Sequence, residues 1–402
     1  MILTQCAACA TELGLSLGKK CGRCSTRYCG PECQVQHWKE GGHDQLCKPI
    51  KKAGGAEQYN ANKKYAEAVA VAADACADDT KGQTCYICTQ ALHWKTKEGL
   101  VRGCSCRGTA GFAHVSCLAE QAKILLAEAE ENNLGEEVLY ERWRRWHRCS
   151  LCKQDYHGVV RCAIGWACWK TYVGRPEPTD RLRSSAMRLL GNGLTDADRH
   201  EDALCVYEAE LSLGRGGRMR ATDTSMLGTL SNLAMSYRAV GRFDEALRIA
   251  REVYSGALKL YGAEHSETLR EANNHAMSLM NLERFEEAKS VLRKTMPVAR
   301  RVLGESHNLT LTLRKVYAGS LCNDPDATLE DLREAMTTLE DTTRISRRVF
   351  GASHPSTKGH EESLQEAQAL LRVREAKLEG DVNARVNALR DAVAVMKARR
   401  DA

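Results

Sequence analysis

Seventeen of the chain's 19 cysteines precede residue 170, and only Cys205 and Cys322 follow it. Within that front part the thiols come in short-range groups. C-x-x-C pairs stand at Cys6/Cys9, Cys21/Cys24, Cys85/Cys88 and Cys149/Cys152, and the stretch CSCRGTAGFAHVSC fills 104–117. Gly108 and Gly111 rule out any regular element there. Buried structural cysteines usually arrive singly on apolar faces, so grouped thiols act together, as a disulfide framework, a redox pair or a metal site. The start, MILTQCAACATELG, lacks the basic residues and long apolar stretch of a signal peptide. No apolar run approaches the roughly 20 residues that cross a bilayer. The expectation is a soluble protein of the cytoplasm or nucleus. In that reducing setting clustered cysteines bind metal rather than form disulfides.

Residues 6–47 offer Cys6, Cys9, Cys21, Cys24, Cys29, Cys33, His43 and Cys47. Two C-x-x-C pairs each hold one edge of a tetrahedral zinc, and Cys29/Cys33 and His43/Cys47 have the i, i+4 spacing of one helical face. Eight ligands make two closed, structural sites. With Tyr28-Cys29, Cys33-Gln34 and His37-Trp38, the segment resembles the MYND zinc finger. The resemblance implies interleaved sites, Cys6, Cys9, Cys29 and Cys33 for one ion and Cys21, Cys24, His43 and Cys47 for the other, with His37 not a ligand. It also implies a peptide-binding face at Gln34 and Trp38. MYND fingers accompany SET methyltransferase domains in some proteins. No SET-type substrate motif is present, and the nearest look-alike, Asn273-Asn274-His275, lies inside a helical repeat.

A second series runs Cys85, Cys88, Cys104, Cys106, His114, Cys117, Cys149 and Cys152, again eight ligands for two zinc ions. The seven-residue gap from Cys106 to His114, with Gly103-Cys104, Gly108 and Cys117-Leu118, resembles the RING-CH (RING-variant) domain. By that resemblance Cys85, Cys88, His114 and Cys117 form one site and Cys104, Cys106, Cys149 and Cys152 the other. Such domains are typically ubiquitin ligases, which hold a ubiquitin-conjugating enzyme and have no nucleophile of their own. The matching contact is Ile87. Trp146 is the candidate aromatic before the last knuckle, and Lys153 the candidate basic contact to ubiquitin. Two departures stand out: the usual tryptophan shortly after Cys117-Leu118 is missing, and the gap to Cys149 is long and helical. Val138, Leu139, Trp143 and Trp146 recur there at helical spacing, which predicts that the tryptophans pack inward. Cys162, Cys168 and Cys76 read as buried apolar cysteines outside any metal site.

With fourteen ligand thiolates and four divalent ions, six negative charges offset the formal net charge of +6. The bulk charge therefore gives no reason to expect a nucleic-acid partner.

From about residue 180 the chain is helical and repeats itself. GAEHSETL and GESHNLTL begin 42 residues apart at Gly262 and Gly304, and GASHPST begins at Gly351. Ala203, Ala246, Ala288 and Ala335 open matching segments, and an insertion near CNDPDATLED accounts for the longer last step. A fixed helical period means a solenoid. Residues 230–247, LSNLAMSYRAVGRFDEAL, resemble the tetratricopeptide repeat, and the 42-residue period resembles its kinesin-light-chain subtype. The resemblance implies peptide binding on the concave face, with Asn232 and Asn274 at matching positions. Four repeats are expected, sealed by a C-terminal helix with the stripe Val382, Val386, Leu389, Val393 and Met396.

The expected architecture is mainly α: a MYND finger (1–50), a helical linker (51–80), a RING-CH module (81–160), a connector (161–179) and the repeats (180–402). The expected function is a zinc-dependent ubiquitin ligase whose repeats and MYND finger recruit protein or peptide substrates. The alternatives are a non-catalytic scaffold and a MYND-based transcriptional adaptor.

Overall fold

A computed structural model describes residues 5–13, 17–175, 181–215, 224–352 and 354–378, with 390 and 393. These fall into two compact units divided between residues 219 and 220.

The first unit opens with a two-stranded antiparallel pair, β1 (Lys19–Lys20) and β2 (Arg27–Tyr28), in which Lys19 faces Tyr28. Two short helices follow, α1 (Pro31–Lys39) and α2 (His43–Ala53). Their core is small, with Cys6, Leu13, Cys21, Cys24, Tyr28, Cys47 and Ile50 making up most of it. A domain this size cannot stand on so little apolar area and needs an added cross-link.

Helix α3 (Ala56–Ala75) is more than a tether. It buries Ala61, Tyr65, Ala68, Val69 and Ala72 and packs on α6 (Gly158–Tyr172). Between them in sequence lie α4 (Val115–Glu131) and α5 (Glu136–Trp143), which runs into a single 3-10 turn at Arg144–Trp146. Helix α6 is apolar all round: Cys162, Ile164, Trp166, Cys168 and Trp169 are buried, as expected of a central helix. It packs on α3, α4 and α7 (Arg181–Asp196), and α7 pairs with α8 (His200–Arg215). Gly193 lets α7 approach, since a Cβ there would stand 2.8 Å from the Arg161 carbonyl.

The second unit stacks α9 (Thr224–Ala239), α10 (Phe243–Tyr261), α11 (Ser266–Asn281), α12 (Phe285–Leu303), α13 (Asn308–Cys322), α14 (Leu329–Phe350) and α15 (Pro355–Leu378), each packed on the next. The alanines that mark the period, Ala203 on α8 and then Ala246, Ala288 and Ala335, are all fully buried. A larger side chain there would push neighbouring helices apart. The sequence CNDPDATLED forms the turn before α14, where Thr328 and Asp331 cap the helix reciprocally. Asp324 in the same turn accepts from the buried Lys289 ammonium at 2.8 Å. The stripe expected to seal the stack lies outside the described residues apart from Val393, which is exposed.

The G-x-x-H motif proves to be the joint between repeats. Gly262, Gly304 and Gly351 end their helices at φ 81, 92 and 87. With ψ of 171, 162 and 161, they sit in a region that only glycine occupies without strain. Three residues on, the Nδ1 atoms of His265, His307 and His354 each accept a backbone N–H in the first turn of the next helix, at 3.1–3.2 Å. These histidines are helix caps rather than metal ligands. Because a Cβ at position 304 meets nothing within 4 Å, Gly304→Ala isolates the backbone cost. It should destabilise the fold by about 1–3 kcal/mol, visible as a lower urea midpoint.

Candidate metal centres and partner surfaces

The four C-x-x-C knuckles share one backbone unit. In each, the residue after the second cysteine (Ala10, Ser25, Thr89 or Lys153) is left-handed at φ 58–61. Its N–H donates to the carbonyl of the first cysteine at 2.8–3.1 Å. The first cysteine's N–H in turn donates to the carbonyl five residues on, at 2.8–3.0 Å. Two turns of backbone thus aim both sulfurs the same way. The amides of Ile87 and Leu151 also donate to the Sγ atoms of Cys85 and Cys149 at 3.4 Å, which favours thiolate.

The sixteen ligand candidates come together as four tetrads, with donor atoms within 4.8 Å of one another: Cys6, Cys9, Cys29 and Cys33; Cys21, Cys24, His43 and Cys47; Cys85, Cys88, His114 and Cys117; Cys104, Cys106, Cys149 and Cys152. Tetrahedral zinc requires edges of about 3.8 Å between sulfurs and about 3.5 Å between sulfur and imidazole nitrogen. Three of the tetrads have them, and in the first the Cys29 sulfur stands closer, 3.5 Å from Cys9 and 3.4 Å from Cys33. Cys21 to Cys47 is 3.9 Å and Cys106 to Cys149 is 3.7 Å. Cys24 to His43 Nε2 is 3.4 Å, and His114 Nδ1 stands 3.4 Å from Cys88 and 3.6 Å from Cys117. His114 Nε2 lies 3.3 Å from the Ala91 carbonyl, so donation there leaves Nδ1 as the ligand. Burial also lowers the pKa of His114, keeping the imidazole neutral as a ligand must be.

The thiols divide into donors and acceptors of a shared proton. A hydrogen bond with Cys104 pulls Cys149 down to about 4, and the same bond pushes Cys104 up. Hydrogen bonding with Thr11 lowers Cys9 to about 6. The donor sets and their distances suit a divalent cation, and the structure fits four zinc ions in cross-braced pairs. In such closed sites zinc holds the fold and offers no open position for substrate. His37 ligates nothing: its Nδ1 is 3.0 Å from the Tyr28 hydroxyl, and its ring stacks on His43. Cys162 and Cys168 are buried in α6 outside any tetrad, and burial raises both thiols. Elemental analysis of the reduced protein should give about four zinc ions per chain, unchanged in Cys162→Ala. Two or fewer on intact protein would refute the assignment.

The proposed partner contacts fare unevenly. Ile87 is half-buried beside a groove of about 370 Å³ at the third tetrad. Trp146 is fully buried against Trp143 and Tyr172, so its ring is core rather than contact surface. On α5, which buries none of its residues, Trp143 is half-buried and Val138 is exposed. Lys153 is exposed, but its ammonium donates to the Ser150 carbonyl at 2.6 Å and braces its own knuckle. On α1, Gln34 is half-buried, and Trp38 is 43% exposed beside the exposed Val35. Asn232 is half-buried in α9. The Asn274 amide donates to Ser231 and Glu271, which ties it into a buried network.

Sequence reasoning missed a fifth turn. His93-Trp94-Lys95-Thr96-Lys97 repeats the knuckle without cysteines: Lys97 is left-handed at φ 60, and its N–H donates to the His93 carbonyl. His93 Nδ1 accepts from the Thr96 amide at 3.1 Å. The turn presents Trp94, 68% exposed, on the groove that Ile87 and Ile124 on α4 also line. The signal in the sequence was an isolated tryptophan between polar residues near a ligand pair.

Residues 6–47 match the MYND finger family model, 85–135 the RING-variant domain, and 226–267 and 268–309 the tetratricopeptide repeat. The RING-variant match stops short of Cys149 and Cys152, which the tetrad geometry supplies. No curated protein matches the chain. Among solved structures, nearly identical TPR-like repeats of a Podosopora anserina kinesin light chain are 19% identical, covering 56% of this chain and 100% of that one at a TM-score of 0.40. BtubC (BKLC) from P. vanneervenii is 15% identical, covering 71% and 92% at 0.40. Among the described residues, no helix is long and apolar enough to cross a membrane.

Proposed function

We propose that this zinc-binding interaction protein is a ubiquitin ligase of the RING-CH type. The observation that carries the proposal is the groove at the third tetrad. There Ile87, between two zinc ligands, shares an apolar surface with exposed Trp94 and Ile124. Such a patch, held rigid by a metal knuckle, suits a ubiquitin-conjugating enzyme. The RING module contributes no nucleophile. It positions the conjugating enzyme's thioester for attack by a substrate amine.

Substrate enters the proposal through the other modules. The MYND finger offers Gln34, Val35 and Trp38 on exposed α1. The repeats offer a groove of about 560 Å³ lined by Met277, Met280, Lys315 and Val316 on α11 and α13 and by Leu370 on α15. Methionines adapt to varied apolar side chains, as a peptide-binding groove requires. The burial of Trp146 removes one expected contact and favours the second reading, a scaffold that binds partners without transferring ubiquitin. Autoubiquitination across a panel of conjugating enzymes separates the two. Transfer with at least one enzyme is expected, and silence with all of them would leave the scaffold.

A further inference from the structure

The four tetrads differ in how far solvent reaches them. Cys21, Cys24, His43 and Cys47 are all buried, and the third tetrad leaves only Cys88 half-exposed. The fourth leaves Cys106 and Cys152 half-exposed. In the first, Cys9 and Cys29 are exposed, Cys33 is half-exposed and only Cys6 is buried. The Sγ atoms of Cys9 and Cys29 stand 3.5 Å apart. Reactivity of a thiolate toward oxidants follows its access, so this tetrad is set apart from the rest.

We propose that Cys9 and Cys29 form an oxidant-sensitive dithiol that a hydroperoxide converts to a disulfide, emptying this site while the other three tetrads stay loaded. The Cys9 thiolate attacks the peroxide O–O bond, forming an S–O bond and expelling hydroxide or alkoxide. The Cys29 thiolate then attacks that sulfur, forming the S–S bond and expelling hydroxide. Two electrons pass from the sulfurs to the peroxide. With hydrogen peroxide, two protons from solvent complete two waters. Zinc remains divalent throughout, and Cys6 and Cys33 alone cannot retain it.

The consequence falls on α1. This helix buries none of its residues. Its later residues rest on the second tetrad, where Trp38 and His37 pack against His43. Its first turn depends on Cys33 as a ligand. Oxidation therefore loosens the segment that carries Gln34 and Val35 without dismantling the core around Tyr28.

The test uses the full-length zinc-loaded protein and hydrogen peroxide at one equivalent per chain. A metallochromic dye reads zinc release, followed by alkylation of remaining thiols and peptide mass spectrometry. About one zinc ion per chain should be released. A cross-link should join the peptides spanning 1–19 and 28–39, resolved by fragmentation to Cys9–Cys29. Cys21, Cys24, Cys47 and the seven later ligand cysteines should stay reduced. Release from another tetrad first, a different disulfide, or release of all four ions together would overturn the proposal.

Discussion

Stripping zinc with a strong chelator should remove about a sixth of the helical circular dichroism and leave the rest, because only α1, α2 and α4 carry tetrad ligands. Each structural site contributes on the order of 10 kcal/mol to folding, far more than the small core around Tyr28 and Ile50 can replace. Helices α3, α6, α7 and α8 bury their own surface around Trp166, Trp169, Met187, Leu190 and Tyr207. The repeats from α9 onward bury theirs through Leu279, Leu292, Leu313, Leu321 and Leu339. Neither set includes a tetrad. Two thermal transitions are expected in the loaded protein; chelation should weaken the first and leave unchanged the one that belongs to residues 224–378. Complete loss of helix on chelation would contradict this modularity.

The zinc sites were legible because their chemistry is local and rare. A knuckle is a five-residue event, and few other structures need paired thiols in a reducing compartment. The pairing of tetrads came from resemblance, and the donor distances now give it a geometric basis. The helical period was legible from Ala203, Ala246, Ala288 and Ala335, since close helix approach tolerates little else. What the G-x-x-H signature does was not legible: only backbone angles reveal that Gly304 adopts a conformation closed to other residues and that His307 caps a helix. The inward packing of Trp146 was legible from its helical spacing, but which neighbour covers its ring was not. Tyr172, 26 positions away, does so. The cysteine-free turn at His93 carries no spacing signature, and its Thr96–His93 hydrogen bonds replace a metal that sequence patterns look for.

That turn sharpens the ligase proposal into a comparison of three variants. Ile87→Ala should abolish detectable ubiquitin transfer while leaving zinc content intact, since its side chain is not a ligand and is only half-buried. A central apolar anchor in a small interface accounts for about 2 kcal/mol or more, roughly thirtyfold in affinity. Trp94→Ala should do the same, since Trp94 lines the same groove. With 68% of its surface already in water, its removal costs the fold little. Cys85→Ala removes a ligand and should lower bound zinc by about one ion together with activity. It therefore serves as the marker of structural failure. If both apolar variants lose transfer at full zinc content, the groove is the contact surface. If Ile87→Ala and Trp94→Ala transfer ubiquitin normally, the proposed contact is wrong. If the wild type is silent with every conjugating enzyme, the same exposed tryptophan and isoleucines serve a scaffold.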